Sequence, residues 1–364
     1  MSKLVLHEFH QGLNARFAEV NGMEVVNDYG DPSSEHAGLF TSVGVLDLSF
    51  RSRLCLTGAD RQKFLNGQVT NNVKDLKAGE GCYAALVNAK GRMQSDLNIY
   101  VLEDEILLDF EPGLADAVTQ RLEKYIIADD LQVVDVAPHY GLLSVQGQKA
   151  GEGVRQLELG VDPPTKPMSI VSRMDSAFGE IYCVNLRRIG MSGFDLFIPT
   201  ASLGAVADLL VTAAKRMGGR ACGWQALEIA RIEAGLPRFG VDMDETNLPP
   251  EAGIEERAIS YTKGCYIGQE VIARIRTYGQ VAKALRGLRL AEDLKSLPAR
   301  GEKLFKDGRE VGHVTSAVAS PCLNANIALA YVRREHNKIG TGLALRHGEA
   351  ESVARIVELP FTKS

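Results

Sequence analysis

Residues 82–110 switch to a hydrophobic period of two, and this run limits the architecture more than any other stretch of the chain. The alternation predicts strands over Cys82–Asn88, Met93–Val101 and Ile106–Phe110, with turns at Ala89-Lys90-Gly91 and Glu103-Asp104. Connections that short join antiparallel neighbours, because a parallel pair needs a long crossover. Leu114–Ile127 then places Ala117, Val118, Leu122 and Ile126 on one helical face, and strands return at Gln132–Val136 and Gly141–Gln146. A β-β-β-α-β order predicts an α+β fold and argues against a doubly wound parallel sheet.

The flanking segments extend this pattern. A helical spacing runs through Phe9, Leu13 and Phe17 and is followed by a polar, turn-rich stretch at Asn27–Ser34. Ser49–Thr57 reads as a strand and Arg61–Asn66 as a short helix ended by Gly67. Strands are predicted at Ser169–Arg173 and Ile181–Leu186. Helices follow over Ala201–Met217, with Leu203, Val206, Leu209, Leu210 and Ala213 on its apolar face, and over Gly223–Ala234, which carries the only tryptophan, Trp224. Leu236–Glu251 is a long segment with few signs of regular structure, a length more often functional than filler. Beyond residue 282, short strands recur at Leu285–Leu290, Glu302–Phe305, Glu310–Thr315, Ala328–Val332, Leu343–Arg346 and Val353–Val357, which predicts a small β-barrel or sandwich. The chain therefore divides into a larger α+β part, 1–280, and a smaller β part, 281–364.

Composition excludes several functions. A net charge of −5 over 364 residues argues against a surface that coats nucleic acid. No apolar run reaches membrane-spanning length, and the N-terminus lacks the apolar core of a secretory signal. The six cysteines, Cys55, Cys82, Cys183, Cys222, Cys265 and Cys322, are scattered with no C-x-x-C pair, so neither a disulfide framework nor a metal site is expected, and reduced thiols point to the cytoplasm. His7 and His10 lack the spacing of a metalloprotease helix and read as surface or packing residues.

One octet carries chemistry: Lys263-Gly264-Cys265-Tyr266-Ile267-Gly268-Gln269-Glu270. Its two glycines permit backbone geometry or close approach closed to other residues. Gln269 and Glu270 open a helix continued by Val271-Ile272-Ala273-Arg274. Cys265 then stands just ahead of a helix N-terminus with Lys263 beside it, a setting that lowers a thiol pKa. The ordinary alternative is a buried structural cysteine in a glycine-rich turn.

The octet resembles the signature of the YgfZ-type folate-binding proteins, which are similar to the glycine-cleavage T-protein (aminomethyltransferase). Glu35-His36-Ala37-Gly38-Leu39 with Gly44–Ser49, Leu56–Asp60 with Phe64–Asn71, Asn88-Ala89-Lys90-Gly91-Arg92 leading to Asp96, Arg231–Leu236, Pro249–Gly253 and Val311–Ser316 resemble that family in the same order. The resemblance implies a cloverleaf of antiparallel-sheet and helix domains around a central folate cavity, closed by a C-terminal barrel. It implies tetrahydrofolate, or a one-carbon derivative, as cofactor, with Asp96, Leu107 and Arg231 as its binding residues. It further implies an accessory role in assembly or repair of iron–sulfur enzymes, with those enzymes or their assembly proteins as partners and Cys265 as the functional thiol. The motif residues are Lys263, Gly264, Cys265, Tyr266, Gly268, Gln269 and Glu270. The alternative it carries is a tetrahydrofolate-dependent aminomethyltransferase with Asp96 as the catalytic residue. The chain departs from the T-protein pattern at Phe50, at Ser95-Asp96 and at Ile189–Asp195, where the family's pterin-contacting glutamate has no direct match and Asp195 lies nearby. A missing buried hydrogen-bond partner costs about 1–3 kcal/mol, which in this reading weakens folate binding without abolishing it and argues against efficient transfer.

Overall fold

The computed structural model describes residues 1–362 except 158, 159, 161, 280, 293, 348 and 349; residue 280, the expected end of the larger part, thus lies outside the described residues. Two antiparallel sheets form the body. The first orders its strands Ile170–Asp175, Gly179–Asn185, Gly193–Pro199, Tyr140–Gln146 and Gly44–Asp47, with the short Arg220–Ala221 added in parallel at the edge. The second orders Gly81–Val87, Met93–Val101, Glu105–Phe110, Ser52–Thr57 and Gln132–Asp135. The meander expected from the period of two is its first three strands, and Met93–Val101 has the expected bounds.

Alternation along the second sheet separates two environments. Leu54, Leu56, Leu97, Ile99, Ile106 and Leu108 face the helices Arg61–Gln68 and Ala115–Glu123, packing on Phe64, Leu65, Val118 and Leu122. Successive residues of a strand point to opposite faces, so Cys55, Tyr100 and Leu107 turn toward the first sheet, where they join Leu46, Leu142 and Phe197. The far face of the first sheet is covered by Leu203–Arg216, through Leu203, Val206, Ala207, Leu210, Val211 and Ala214. Lys215 and Arg216 sit in its last turn, where cations suit the helix dipole, and Gly218 continues in the left-handed region at φ +81°. Leu209 instead lies on its outer side.

Residues 283–357 close into a barrel in the order Lys283–Leu290, Ala325–Arg333, Arg309–Ser320, Lys303–Lys306, Gly342–His347 and Ala350–Val357. Leu288, Leu304, Val314, Val332, Leu345 and Ile356 belong to its buried apolar core. It docks on the body where Ile232 meets Leu285, Ile327, Leu329 and Tyr331. The α+β expectation with a C-terminal barrel is therefore correct. Among the described residues no helix is long and apolar enough to cross a membrane.

The start of the chain differs from the expectation. The first helix covers only His7–Gly12, and Phe17 belongs to a hairpin, Arg16–Val20 with Met23–Asp28. Asn14 and Asn21 adopt positive φ, 61° and 50°, breaking the helix and making the hairpin turn. Gly67 lies inside Arg61–Gln68 and does not end it.

Candidate functional site

A cavity of about 480 Å³ opens where both sheets, the helix Trp224–Glu233 and the Leu236–Arg238 segment converge. Period-two geometry puts Asp96 and Asn98 on the inner face of the second sheet, and both line the cavity together with Tyr83 and Glu111. Asp96 accepts a hydrogen bond from the Tyr83 hydroxyl at 2.8 Å. Burial, then the charge of Glu111, raises its pKa above the ordinary carboxylate value. No lysine or arginine among the described residues lies within ion-pairing distance of it.

Other charges around the cavity are tightly paired. Arg51 donates to Asp109 and to Glu111, each at 2.7 Å. Arg188 donates to the other Asp109 oxygen at 2.9 Å and grips Asp195 at 2.6 and 2.9 Å. Asn98 adds a third donor to Asp109 at 2.9 Å. Burial alone would raise the Asp109 pKa, but the Arg51 and Arg188 guanidiniums outweigh it and hold the carboxyl well below its usual range. Arg238 reaches Glu111 at 3.3 Å and lies over the Trp224 ring, 4.7 Å from its centroid. Arg187 and Arg257 also line the cavity; both are exposed, and neither has an ion-pair partner among the described residues. Arg257 stacks on Tyr83 at 4.4 Å.

Of the residues expected at a folate site, Asp96 and Arg231 do meet in this wall. Arg231 is nevertheless occupied: it donates to Glu228 twice at 2.8 Å, to Asp242 at 2.7 Å and to Ser316 of the barrel at 3.1 Å. Leu107 does not line this cavity. It pairs with Cys55 and Tyr100 at the other end of the sheet face and borders a smaller pocket of about 270 Å³ with Tyr140, Tyr182 and Phe197. Asp195 is fully buried, bonded to Arg188 and to the Ser144 hydroxyl at 2.7 Å, and stands behind the cavity wall.

The octet lies outside the cavity lining. Cys265 is exposed, and the helix Gln269–Tyr278 starts four residues later, as expected for Gln269 and Glu270. Lys263 does not serve Cys265 as a free charge. Its ammonium is buried and donates to the carbonyls of Asn66, Val69 and Asn71 at 2.6, 2.7 and 2.6 Å, which uses all three of its donors. It thereby caps the end of Arg61–Gln68, while burial pulls its pKa down to about 8. The thiol that feels Lys263 is Cys82, which burial pushes up to about 12 despite that cation.

Gly268 needs its glycine. Its φ is +83°, and a Cβ there would stand 2.5 Å from the Asn88 carbonyl in the turn that leads to Asp96. Gly264 has neither constraint, with nothing within 4 Å of its Cβ position. Gly268→Ala is expected to destabilise the protein by about 3 kcal/mol, the upper part of the roughly 1–3 kcal/mol range for left-handed strain. Gly264→Ala should lie within about 0.5 kcal/mol of the parent, as surface changes do. Urea unfolding of the two variants side by side checks the contrast.

Arg51, Glu111, Arg187, Arg188 and Arg257 were not singled out from sequence. The available signal was the charge embedded in apolar strand runs, such as Asp109 and Glu111 around Phe110.

Comparisons agree with this architecture along the whole chain. The GCVT N-terminal domain matches residues 6–263, and the glycine cleavage T-protein C-terminal barrel domain matches residues 283–363. The chain belongs to the glycine cleavage T-protein family. It is 27% identical to the aminomethyltransferase of Halalkalibacterium halodurans, covering 100% of this chain and 98% of that relative. It is 29% identical to the aminomethyltransferase of Saccharopolyspora erythraea, covering 98% and 96%. The crystal structure of glycine cleavage system aminomethyltransferase T from Bartonella henselae shares the fold, with a TM-score of 0.90 at 22% identity over 99% of this chain and 98% of that one.

Proposed function

We propose that the central cavity binds tetrahydrofolate or a one-carbon derivative, and that the protein transfers an aminomethyl-type one-carbon unit there with Asp96 handling the proton. The observation that carries this reading is a carboxylate in the cavity wall with one hydroxyl donor and, among the described residues, no lysine or arginine within ion-pairing distance. Relatives aligned over the whole chain are named aminomethyltransferase.

The lining fits the group. Its volume of about 480 Å³ falls in the roughly 300–1,000 Å³ range of small-molecule sites. A pterin presents several N–H donors, and Asp96 and Glu111 offer acceptors. The benzoyl-glutamate tail ends in carboxylates, and Arg187 and Arg257 are cations with no ion-paired carboxylate among the described residues. Trp224, Leu186, Leu227 and Met168 give aromatic and apolar wall between them. When bound, tetrahydrofolate supplies the amine nitrogens that take up the one-carbon unit. Asp96 is held in one orientation by Tyr83, and its raised pKa brings proton exchange toward the working range. The arginine–carboxylate lattice beneath it keeps the wall rigid, so little reorganisation accompanies charge movement.

A second reading, the YgfZ-type accessory role in iron–sulfur enzyme assembly or repair, is favoured by the exposed Cys265 and by the engagement of Asp195 with Arg188. The two readings separate experimentally. Calorimetric titration with tetrahydrofolate should give saturable binding under both; its absence overturns both. Purified protein given an aminomethyl-lipoyl carrier and tetrahydrofolate should form methylene-tetrahydrofolate only under the first. Cys265→Ala should leave folate affinity and stability unchanged, the latter within about 0.5 kcal/mol. Under the accessory reading that variant lowers the activity of iron–sulfur enzymes in cells, and undiminished activity removes that reading.

A further inference from the structure

Where the barrel meets the body, three side chains from distant parts of the chain converge outside the cavity. His36 comes from the helix Pro32–Thr41, Glu233 from the end of Trp224–Glu233, and Cys322 from the turn after Arg309–Ser320. One ligand-type atom from each lies within 4.8 Å of the other two. His36 Nε2 and a Glu233 oxygen are 2.7 Å apart, and both side chains are almost wholly buried. Cys322 is exposed and opens the cluster to solvent.

We propose that His36 Nε2, the Glu233 carboxylate and the Cys322 thiolate form a site for a divalent cation of the zinc class, with a water molecule as fourth ligand. One nitrogen, one oxygen and one sulfur suit a borderline ion and do not suit calcium or magnesium, which take oxygen ligands. Ligand atoms bound at about 2.0–2.3 Å in a tetrahedron stand roughly 3–4 Å from one another, so His36 Nε2 and the Glu233 oxygen, now 2.7 Å apart, must part slightly while Cys322 moves inward. The second Glu233 oxygen already accepts from the Ser320 hydroxyl, an outer contact of the kind that orients a metal-bound carboxylate. Glu233 has no lysine or arginine partner among the described residues. Its backbone carbonyl accepts from Phe361 and Thr362 N–H, at 2.9 and 3.3 Å, so a metal here ties the body to the barrel and to the segment that follows it.

Binding exchanges protons for the cation. Cys322 releases its thiol proton to solvent. The proton between His36 Nε2 and Glu233 leaves that nitrogen: a neutral imidazole shifts to its Nδ1–H tautomer, whereas an imidazolium keeps Nδ1–H and releases one proton to solvent. The cation then occupies the place of that hydrogen bond, and affinity falls as pH falls.

Cobalt(II) titration of the metal-free, full-length protein tests the assignment. One equivalent should produce a thiolate-to-cobalt charge-transfer band, which zinc(II) then bleaches. Cys322→Ser should abolish the band and weaken zinc binding at least about tenfold, measured by competition with a chromophoric chelator. Ser320→Ala should keep the band with weaker affinity. Cys265→Ser should leave band and affinity unchanged, which separates this site from the other exposed thiol. Absence of the band in the parent protein, its survival in Cys322→Ser, or its loss in Cys265→Ser overturns the proposal.

Discussion

Asp96→Asn is expected to lower one-carbon transfer by about 10²–10⁴-fold, the usual contribution of a positioned general acid or base. The same substitution should make the protein more stable at neutral pH. Burial and the neighbouring Glu111 raise the Asp96 pKa, so the native state keeps a proton at pH values where the unfolded chain has already lost it. Protein whose native state binds more protons loses stability as pH rises. The penalty therefore grows from the ordinary carboxylate range up to the raised native value and is complete above it. Asparagine has no such ionisation, still accepts from Tyr83, and should flatten that part of the stability profile. Urea unfolding of parent and variant across acid to neutral pH reads the effect directly. Identical profiles would show that Asp96 is not perturbed, and retained turnover would show that it does not handle the proton.

Asp109→Ala should cost about 3–5 kcal/mol, the typical result of removing one partner from a buried ionic group. Asp109 is inaccessible to solvent and accepts from Arg51, Arg188 and Asn98. Its loss leaves Arg51 with Glu111 alone and Arg188 with Asp195 alone, both guanidiniums still largely out of water. Because its native pKa is depressed, the contribution of Asp109 is present above the unfolded carboxylate value and disappears only as pH falls through the lower native one. The variant should accordingly show its full deficit at neutral pH and lose it in strong acid. A deficit below about 1 kcal/mol in urea unfolding at pH 7 would show that the lattice relaxes or admits water.

Local patterns carried most of the fold. The strands of the meander, the helix Leu203–Arg216 and the barrel strands follow from periods of two and 3.6, which act over a few residues and bury one face at a time. The same reasoning failed at Phe17 because one asparagine at positive φ redirects a chain whose apolar spacing still looks helical. Asp96 was found through a motif. The partners that give it a perturbed environment lie elsewhere in the chain: Glu111 beyond the third strand of the meander, Arg51 before the strand Ser52–Thr57, and Arg257 on a later helix. Leu107 shows the converse: it lies on the expected strand, yet its position along that strand sends it to another pocket.

For the octet, sequence alone determined that a glycine, a cysteine and a helix start occur together. The tertiary structure decided what each one does. Gly268 is required because the turn after Val87 passes within contact of it, and Lys263 caps a helix end 197 residues earlier in the chain through Asn66. His36 and Glu233, also 197 residues apart, share a hydrogen bond beside Cys322 although no metal-ligand spacing links them. Periodicity records which way a side chain points. Which charge, carbonyl or thiol it meets depends on chain closure over hundreds of residues, and no local pattern encodes that distance.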